Sequence, residues 1–203
     1  MCVLASQSPR RIELLNNAGF QFLHHPVKVS EIIDEKLKPE ENACQIATVK
    51  AKACVEQHKQ LNSQGYLILA ADTIVALGDQ LLGKPGDDRE ATKFLRLLSG
   101  KTHRVISGLA LLETGSEKLY CGYAETEVRF RALSGHEISA YVASGEPFDK
   151  AGGYAIQGLG AKLVDSFHGS WSNVVGLPME LLERAIKQNG WIVRREPPRA
   201  DSK

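Results

Sequence analysis

Cysteine is scarce in this chain. Cys2, Cys44, Cys54 and Cys121 are scattered, form no C-x-x-C pair and have no histidine at a zinc-ligand spacing. That pattern excludes a disulfide framework or a zinc knuckle and predicts free thiols in a reducing cytoplasm. Net charge is also lacking: at +1 no global field draws in nucleic acid or anionic lipid, so any anion binding must be local. Aromatic residues make up 6% of the chain, and Trp171 and Trp191 stand apart from basic clusters, so they read as packing residues rather than base-stacking platforms. No apolar run approaches a membrane span, and Val3 to Ala5 is too short for a signal-peptide core and has no basic segment before it. The P-loop pattern, the dinucleotide-binding glycine fingerprint and the G-x-S-x-G elbow are all missing. No internal repeat or long linker divides the chain.

What is present is enough apolar sequence, 43%, to build a core without disulfide or metal. Strand patterns alternate with helical ones, which predicts an α/β protein. A first strand is expected to end just before Ser6, and others at Gln21 to Val29, Tyr66 to Ala71, Thr73 to Leu77 with Gln80 to Leu82 as a hairpin, His103 to Glu113, Lys118 to Arg131, Tyr154 to Gln157, Ala161 to Phe167 and Trp191 to Arg194. Helices are expected after Ser8-Pro9 as far as Gly19, from Pro39 to Lys59, after Asp87 to Ser99-Gly100, after Ser134 to Ala143, and from Pro178 to Gln188. Asp87 with Glu90, and Ser134 with Glu137, read as capping boxes. The organisation is one domain over residues 1–195, with 196–203 as a frayed tail.

The most informative stretch is Leu4-Ala5-Ser6-Gln7-Ser8-Pro9-Arg10-Arg11. Ser8 reads as an N-cap and Pro9 as the first helical residue, so free backbone N–H groups and the positive helix end face whatever lies beyond Ser6. Arg10 and Arg11 add two permanent charges where arginine is not normally favoured, and they require a partner anion. Phosphate is the natural ligand. The competing reading is a well-capped helix with a solvated first turn.

Asp72 is the strongest catalytic candidate, because it is expected at the carboxyl end of a buried strand, where α/β sheets present their ligands. A free aspartate titrates near about 3.9 and is a weak base at neutral pH, so assistance by a divalent metal is the favoured mode. An Asx turn into the hairpin is the plainer alternative. Gly83-Lys84-Pro85 places a cation on a turn that can fold back toward Asp72, or is only a surface turn. Lys50 and Lys52 point to different sides of their helix, with Lys50 nearer the buried stripe. The glycine-dense segment from Gly145 to Gly160 reads as a structured functional loop.

Taken in order, these segments resemble the Maf (septum-formation) family of nucleotide pyrophosphatases. The likeness extends through Lys50-Ala51-Lys52-Ala53, Ala71-Asp72-Thr73, Leu82-Gly83-Lys84-Pro85, Leu98-Ser99-Gly100-Lys101-Thr102-His103, Gly145-Glu146-Pro147, Asp149-Lys150-Ala151-Gly152, Ile156-Gln157-Gly158 and Val175-Gly176-Leu177-Pro178. It implies an inosine-triphosphatase-like α/β fold, a central mixed sheet flanked by helices, with two lobes around a cleft that holds a nucleoside triphosphate. It also implies that Asp72 is the acid/base carboxylate and that Lys84 and Lys50 face phosphate. Ser6, Arg10 and Arg11 match the phosphate-binding turn, and Arg10, Thr73 and Gln157 stand at positions linked to substrate choice. A divalent cation, Mg²⁺ or Mn²⁺, is implied, with Asp72 and Glu35 as its residues, although Glu31 and Asp34 lie in the same acidic region. Ala71 departs from the glycine common there, a small change. The Asp149 to Gly158 segment resembles the branch acting on dTTP and UTP. The alternatives are a 7-methyl-GTP or other modified-nucleotide hydrolase, and a nucleotide-binding regulator of cell division. Nucleic acid and membrane are not expected partners, and a homodimer is left open.

Overall fold

A computed structural model describes residues 1–63, 65–116 and 118–196. Its centre is a mixed sheet of seven strands. The strands are β1 (Cys2–Leu4), β2 (Phe22–His24), β3 (Leu67–Leu77), β4 (Gln80–Leu82), β5 (Thr102–Glu113), β6 (Leu119–Phe130) and β7 (Val164–His168). They lie in the order β2-β1-β3-β5-β6-β7, with β4 folded back on β3. β1 runs parallel to β2 and β3, whereas β3, β5, β6 and β7 alternate in direction. The helices are α1 (Pro9–Asn17), α2 (Pro39–Gln57), α3 (Asp88–Leu98), α4 (Gly135–Ala143), α5 (Trp171–Val175) and α6 (Met179–Asn189). This is the α/β pattern that the residues predict, arranged as the helix-flanked mixed sheet that the family resemblance implies. Among the described residues no helix is long and apolar enough to cross a membrane.

The alternation of β3 sorts its side chains between two cores. Leu67, Leu69 and Ala71 pack with Leu14 and Leu15 of α1 and Leu182 and Ile186 of α6, while Ile68 and Ala70 pack with Ala47, Ala51 and Cys54 of α2 on the opposite face. A third cluster joins Val75 to Phe94 and Leu95 of α3 and to Ile138 and Val142 of α4. α2 lies against the sheet because β5 offers Gly108, where a Cβ would sit 2.2 Å from the Ala43 carbonyl oxygen. Any larger residue there would push the helix off the sheet.

Several expected boundaries differ. The strand expected over Gln21 to Val29 is confined to Phe22–His24, because its partner β1 is three residues long and the His25 N–H then donates to Leu4 O. The break expected at Asp72 is absent: β3 runs unbroken from Leu67 to Leu77. Tyr154 to Gln157 form no strand, since Gly152, Gly153 and Gly158 all have positive φ and the segment is an irregular link between two 3₁₀ turns, Ala151–Gly153 and Gly158–Leu163. Ala161 to Leu163 belong to the last of these turns, so β7 starts only at Val164. Trp191 to Arg194 likewise make no strand; the segment is joined to the rest through an isolated bridge between Phe20 and Arg195. Helix α5, opened by Ser170, has no counterpart in the sequence reading. The Ser134–Glu137 capping box is reciprocal, but at α3 Asp87 accepts from Glu90 N while the Glu90 carboxylate turns to Gly86 N. Of the expected tail, Glu196 donates its N–H to Gly19 O, and residues 197–203 lie outside the described residues.

Candidate active site

The cleft arises from unequal strand lengths. β1 pairs with β3 only from Leu67 to Leu69, and β4 covers the same edge from Val75 to Leu77, so the edge between them has no strand neighbour. Asp72 and Thr73 occupy that gap. They lie just past the carboxyl end of β1, so the crevice rule holds for β1, although Asp72 itself stands mid-strand rather than at a strand end. By alternation Asp72 points to the α2 face and Thr73 to the α1 face. The opening has a volume of about 710 Å³, and Ser6, Arg10, Arg11, Glu31, Lys50, Asp72, Thr73, Lys84 and Gln157 all line it.

On the α2 face, Lys50 is buried and its Nζ donates to Asp72 Oδ1 at 2.6 Å and to Glu31 Oε1 at 2.7 Å. Glu31 Oε2 in turn accepts from Lys84 Nζ at 3.2 Å. Two carboxylates and two lysines thus form one charge-alternating chain across the cleft floor. Lys52, two residues along α2, is exposed. Burial alone would raise the Glu31 carboxyl, but the hydrogen bonds and charges of Lys50 and Lys84 outweigh it and hold it below its ordinary value of 4.5. A group with a depressed folded value adds stability that is present above the unfolded value and lost as pH falls through the folded one. Thermal melts of the wild type and Glu31→Gln should therefore differ most above pH 4.5 and converge as the medium is acidified below it. A constant difference across that range would rule out this contribution.

The acidic residue that meets the lysines is thus Glu31 and not Glu35. Glu35 is exposed on a turn and outside the cleft lining, and Asp34 is spent on the turn itself, accepting from Lys36 N while its backbone bonds Asn42. Alternation carries the signal that finds Glu31: Val27 is buried and Val29 half-buried, so the parity that faces inward continues to residue 31, and the turn at 34–37 breaks it before residue 35.

On the α1 face the arrangement is different. Ser8 occupies the N-cap position but makes no side-chain cap bond; its N–H instead donates to Ser6 Oγ at 3.2 Å. The buried Arg11 guanidinium donates to Gly176 O at 2.6 Å, Ser6 Oγ at 3.1 Å and Thr73 Oγ1 at 3.2 Å. Thr73 Oγ1 is also 2.9 Å from Ser107 Oγ, so this hydroxyl is committed to the protein. Burial pushes Arg11 below its ordinary value, while the charges of Asp72 and Glu31 pull the other way. Arg10 reaches across the cleft to Asp149 Oδ2 at 3.0 Å. Asp149, also paired with Lys150, is a partner anion that the sequence reading did not identify for Arg10.

Exposure separates the cations by availability. The side chains of Arg10 and Lys84 are 25% and 53% exposed, against 10% for Lys50. Gln157 projects from the glycine-dense loop into the opening and makes no side-chain hydrogen bond to the described residues. The loop docks on the lysine turn through Gly152 N to Gly83 O at 2.9 Å, where positive φ and a Cβ position 3.0 Å from Val75 both favour glycine. The opening therefore holds two exposed cations and a free amide together.

Comparison with known proteins agrees with this geometry. Residues 1–189 match the family described as Maf-like protein. A dTTP/UTP pyrophosphatase of Desulfitobacterium hafniense is 48% identical over 189 residues, covering 92% of this chain and 84% of that protein. Proteins of the same description from Bacillus thuringiensis and Bdellovibrio bacteriovorus are 45% and 42% identical, each over 92% of this chain and over 94% and 97% of their own lengths.

Proposed function

From the premise that this chain belongs to the Maf-like protein family, we propose that it is a nucleoside triphosphate pyrophosphatase that converts dTTP and UTP to the monophosphate and pyrophosphate. The observation that carries the reading is the cleft itself, with a lysine–carboxylate chain on its floor and an unengaged amide in its lining. Arg10 and Lys84 are the exposed cations that take up the triphosphate, Arg10 by exchanging Asp149 for phosphate oxygen. Lys50 and Arg11 are already committed to protein oxygens and act mainly by holding Asp72, Glu31, Ser6 and Thr73 in position.

Water attacks the α-phosphorus, forming a new P–O bond and breaking the bond from that phosphorus to the α–β bridging oxygen. Pyrophosphate leaves with the electron pair. Asp72 orients the water and takes its proton, and the cations stabilise the charge that gathers on the leaving group. Among the described residues no group of three or more His, Cys, Asp or Glu side chains could hold a metal alone. Asp72 and Glu31 are nonetheless two oxygen-bearing groups meeting at Lys50, and such a pair suits Mg²⁺ or Mn²⁺, since Mg²⁺ is usually bound by one or two carboxylates plus substrate phosphates and water. Asp72 and Glu31 would hold such a cation, which would supply Lewis-acid polarisation of phosphoryl oxygens and a more acidic water. A reducing cytoplasmic setting is supported by the four free cysteines.

Base choice rests on Gln157. Its amide donates to O4 and accepts from N3–H of uracil or thymine, an edge those two bases share. Cytosine presents an amino donor and a bare N3 instead. Pyrophosphate release measured with Mg²⁺ across a nucleotide panel should place dTTP and UTP well above CTP, ATP and 7-methyl-GTP. Gln157→Glu sets a carboxylate against O4 and should cost UTP and dTTP about 1 to 3 kcal/mol of discrimination. A panel headed by 7-methyl-GTP, or base preference untouched by Gln157→Glu, would overturn the assignment.

A further inference from the structure

The loop that presents Gln157 is held from behind by a carboxylate that lies outside the cleft lining. Glu146 Oε1 accepts from Tyr141 Oη and from Gly160 N, both at 3.0 Å, and Oε2 accepts from Leu159 N at 3.0 Å. The Tyr141 hydroxyl also lies against the Ala155 backbone, and burial together with the Glu146 charge keeps the phenol protonated. Gln157 is therefore bracketed. Leu159 and Gly160 are tied directly to Glu146, and Ala155 sits against the Tyr141 hydroxyl that donates to the same carboxylate.

The packing leaves little slack in this bracket. A Cβ at Gly158, whose φ is +64°, would lie 3.0 Å from Glu146 Oε2, and one at Gly160 would lie 2.4 Å from Ala155 O and 2.7 Å from Tyr141 Oη. The chain thus passes too close to the Glu146–Tyr141 pair for any residue but glycine. Farther back, Tyr154 is fixed separately by a 2.6 Å hydrogen bond between its hydroxyl and His103 Nε2. Releasing Glu146 would loosen the 155–160 turn without freeing the rest of the loop.

We propose that Glu146 is a positioning residue for base selection: its carboxylate, with Tyr141 as relay, sets the place of the Gln157 amide and hence the preference for a uracil-type edge. The inference rests on the base reading assigned to Gln157 above. A carboxylate is needed because its two oxygens accept three donors; an amide must turn its NH₂ toward one of the N–H or O–H groups, leaving that donor unpaired.

The test is steady-state hydrolysis of UTP and CTP by wild type, Glu146→Gln and Tyr141→Phe, with inorganic tripolyphosphate as a competitive inhibitor that has no base. Glu146→Gln should raise KM for UTP and lower the UTP-to-CTP ratio of kcat/KM by about tenfold each, with kcat little changed. Tyr141→Phe, which removes only the Tyr141 hydroxyl from the bracket and leaves the Leu159 and Gly160 bonds, should lower the ratio by about threefold. Inhibition by tripolyphosphate should stay at the wild-type level in both, because Ser6, Arg10 and Lys84 are untouched. An unchanged ratio in the variants, or a matching loss of tripolyphosphate inhibition, overturns the inference. If Glu146→Gln fails to fold, Tyr141→Phe decides alone by the same criterion. A wild type with no preference for UTP over CTP would instead overturn the base reading itself, and the inference with it.

Discussion

Asp72→Asn is expected to lower UTP and dTTP turnover by about 10³- to 10⁴-fold, the range associated with losing a general base together with part of an electrostatic site. The substitution keeps the shape and removes the charge. Asp72 is 7% exposed, and its Oδ1 lies 2.6 Å from Lys50 Nζ, a contact that an amide oxygen can still accept. Lys50 is not stranded, because Glu31 Oε1 remains 2.7 Å away. The variant should therefore lose about 1–2 kcal/mol of stability, less than the 3–5 kcal/mol typical of a buried pair broken outright. Pyrophosphate release against a thermal melt separates the two effects. A near-normal rate would remove Asp72 from the mechanism, and a collapsed melt would mean that its role is chiefly structural.

The same residue shows where sequence reading reached its limit. The apolar run Leu67 to Ala71 is legible as a buried strand from composition alone, because it needs no polar partner. A charged residue after such a run reads as a strand end, since a lone buried carboxylate is costly. β3 continues through Asp72 because Lys50, twenty-two positions earlier on α2, neutralises it, and no local pattern carries a pairing of that separation. Capping at Ser134–Glu137 was legible because both partners lie within one turn. The segment over Tyr154 to Gln157 differs for the opposite reason: its alternating side chains suggest a strand, but the flanking glycines adopt positive φ and the N–H groups of Leu159 and Gly160, just beyond it, go to Glu146 instead of a neighbouring strand. For the candidate site, residue types and order were legible, while the choice of Glu31 over Glu35 depended on a turn whose position is fixed by Asn42.

Arginine at the start of a helix posed a question of charge, and the two arginines of α1 meet it differently. Arg10 pairs with Asp149 across the cleft. Arg11 contacts only neutral oxygens, those of Gly176, Ser6 and Thr73, while Asp72 and Glu31 act on it through space. Its planar fork reaches three acceptors on three separate segments from three different nitrogens, whereas the three donors of an ammonium all radiate from one atom and cannot span the same separation. Arg11→Lys keeps the charge and should still cost about 2–4 kcal/mol, lowering the melting temperature by about 5–12 °C. The kcat/KM for UTP should fall by about 10²- to 10³-fold, because Ser6 and Thr73 lose the group that fixes them beside the phosphate turn. Arg10→Lys, with one exposed ion pair, should change both quantities far less. If Arg11→Lys instead melts and turns over like the wild type, positive charge at that position is sufficient, and the three-way fork is not what organises the phosphate wall.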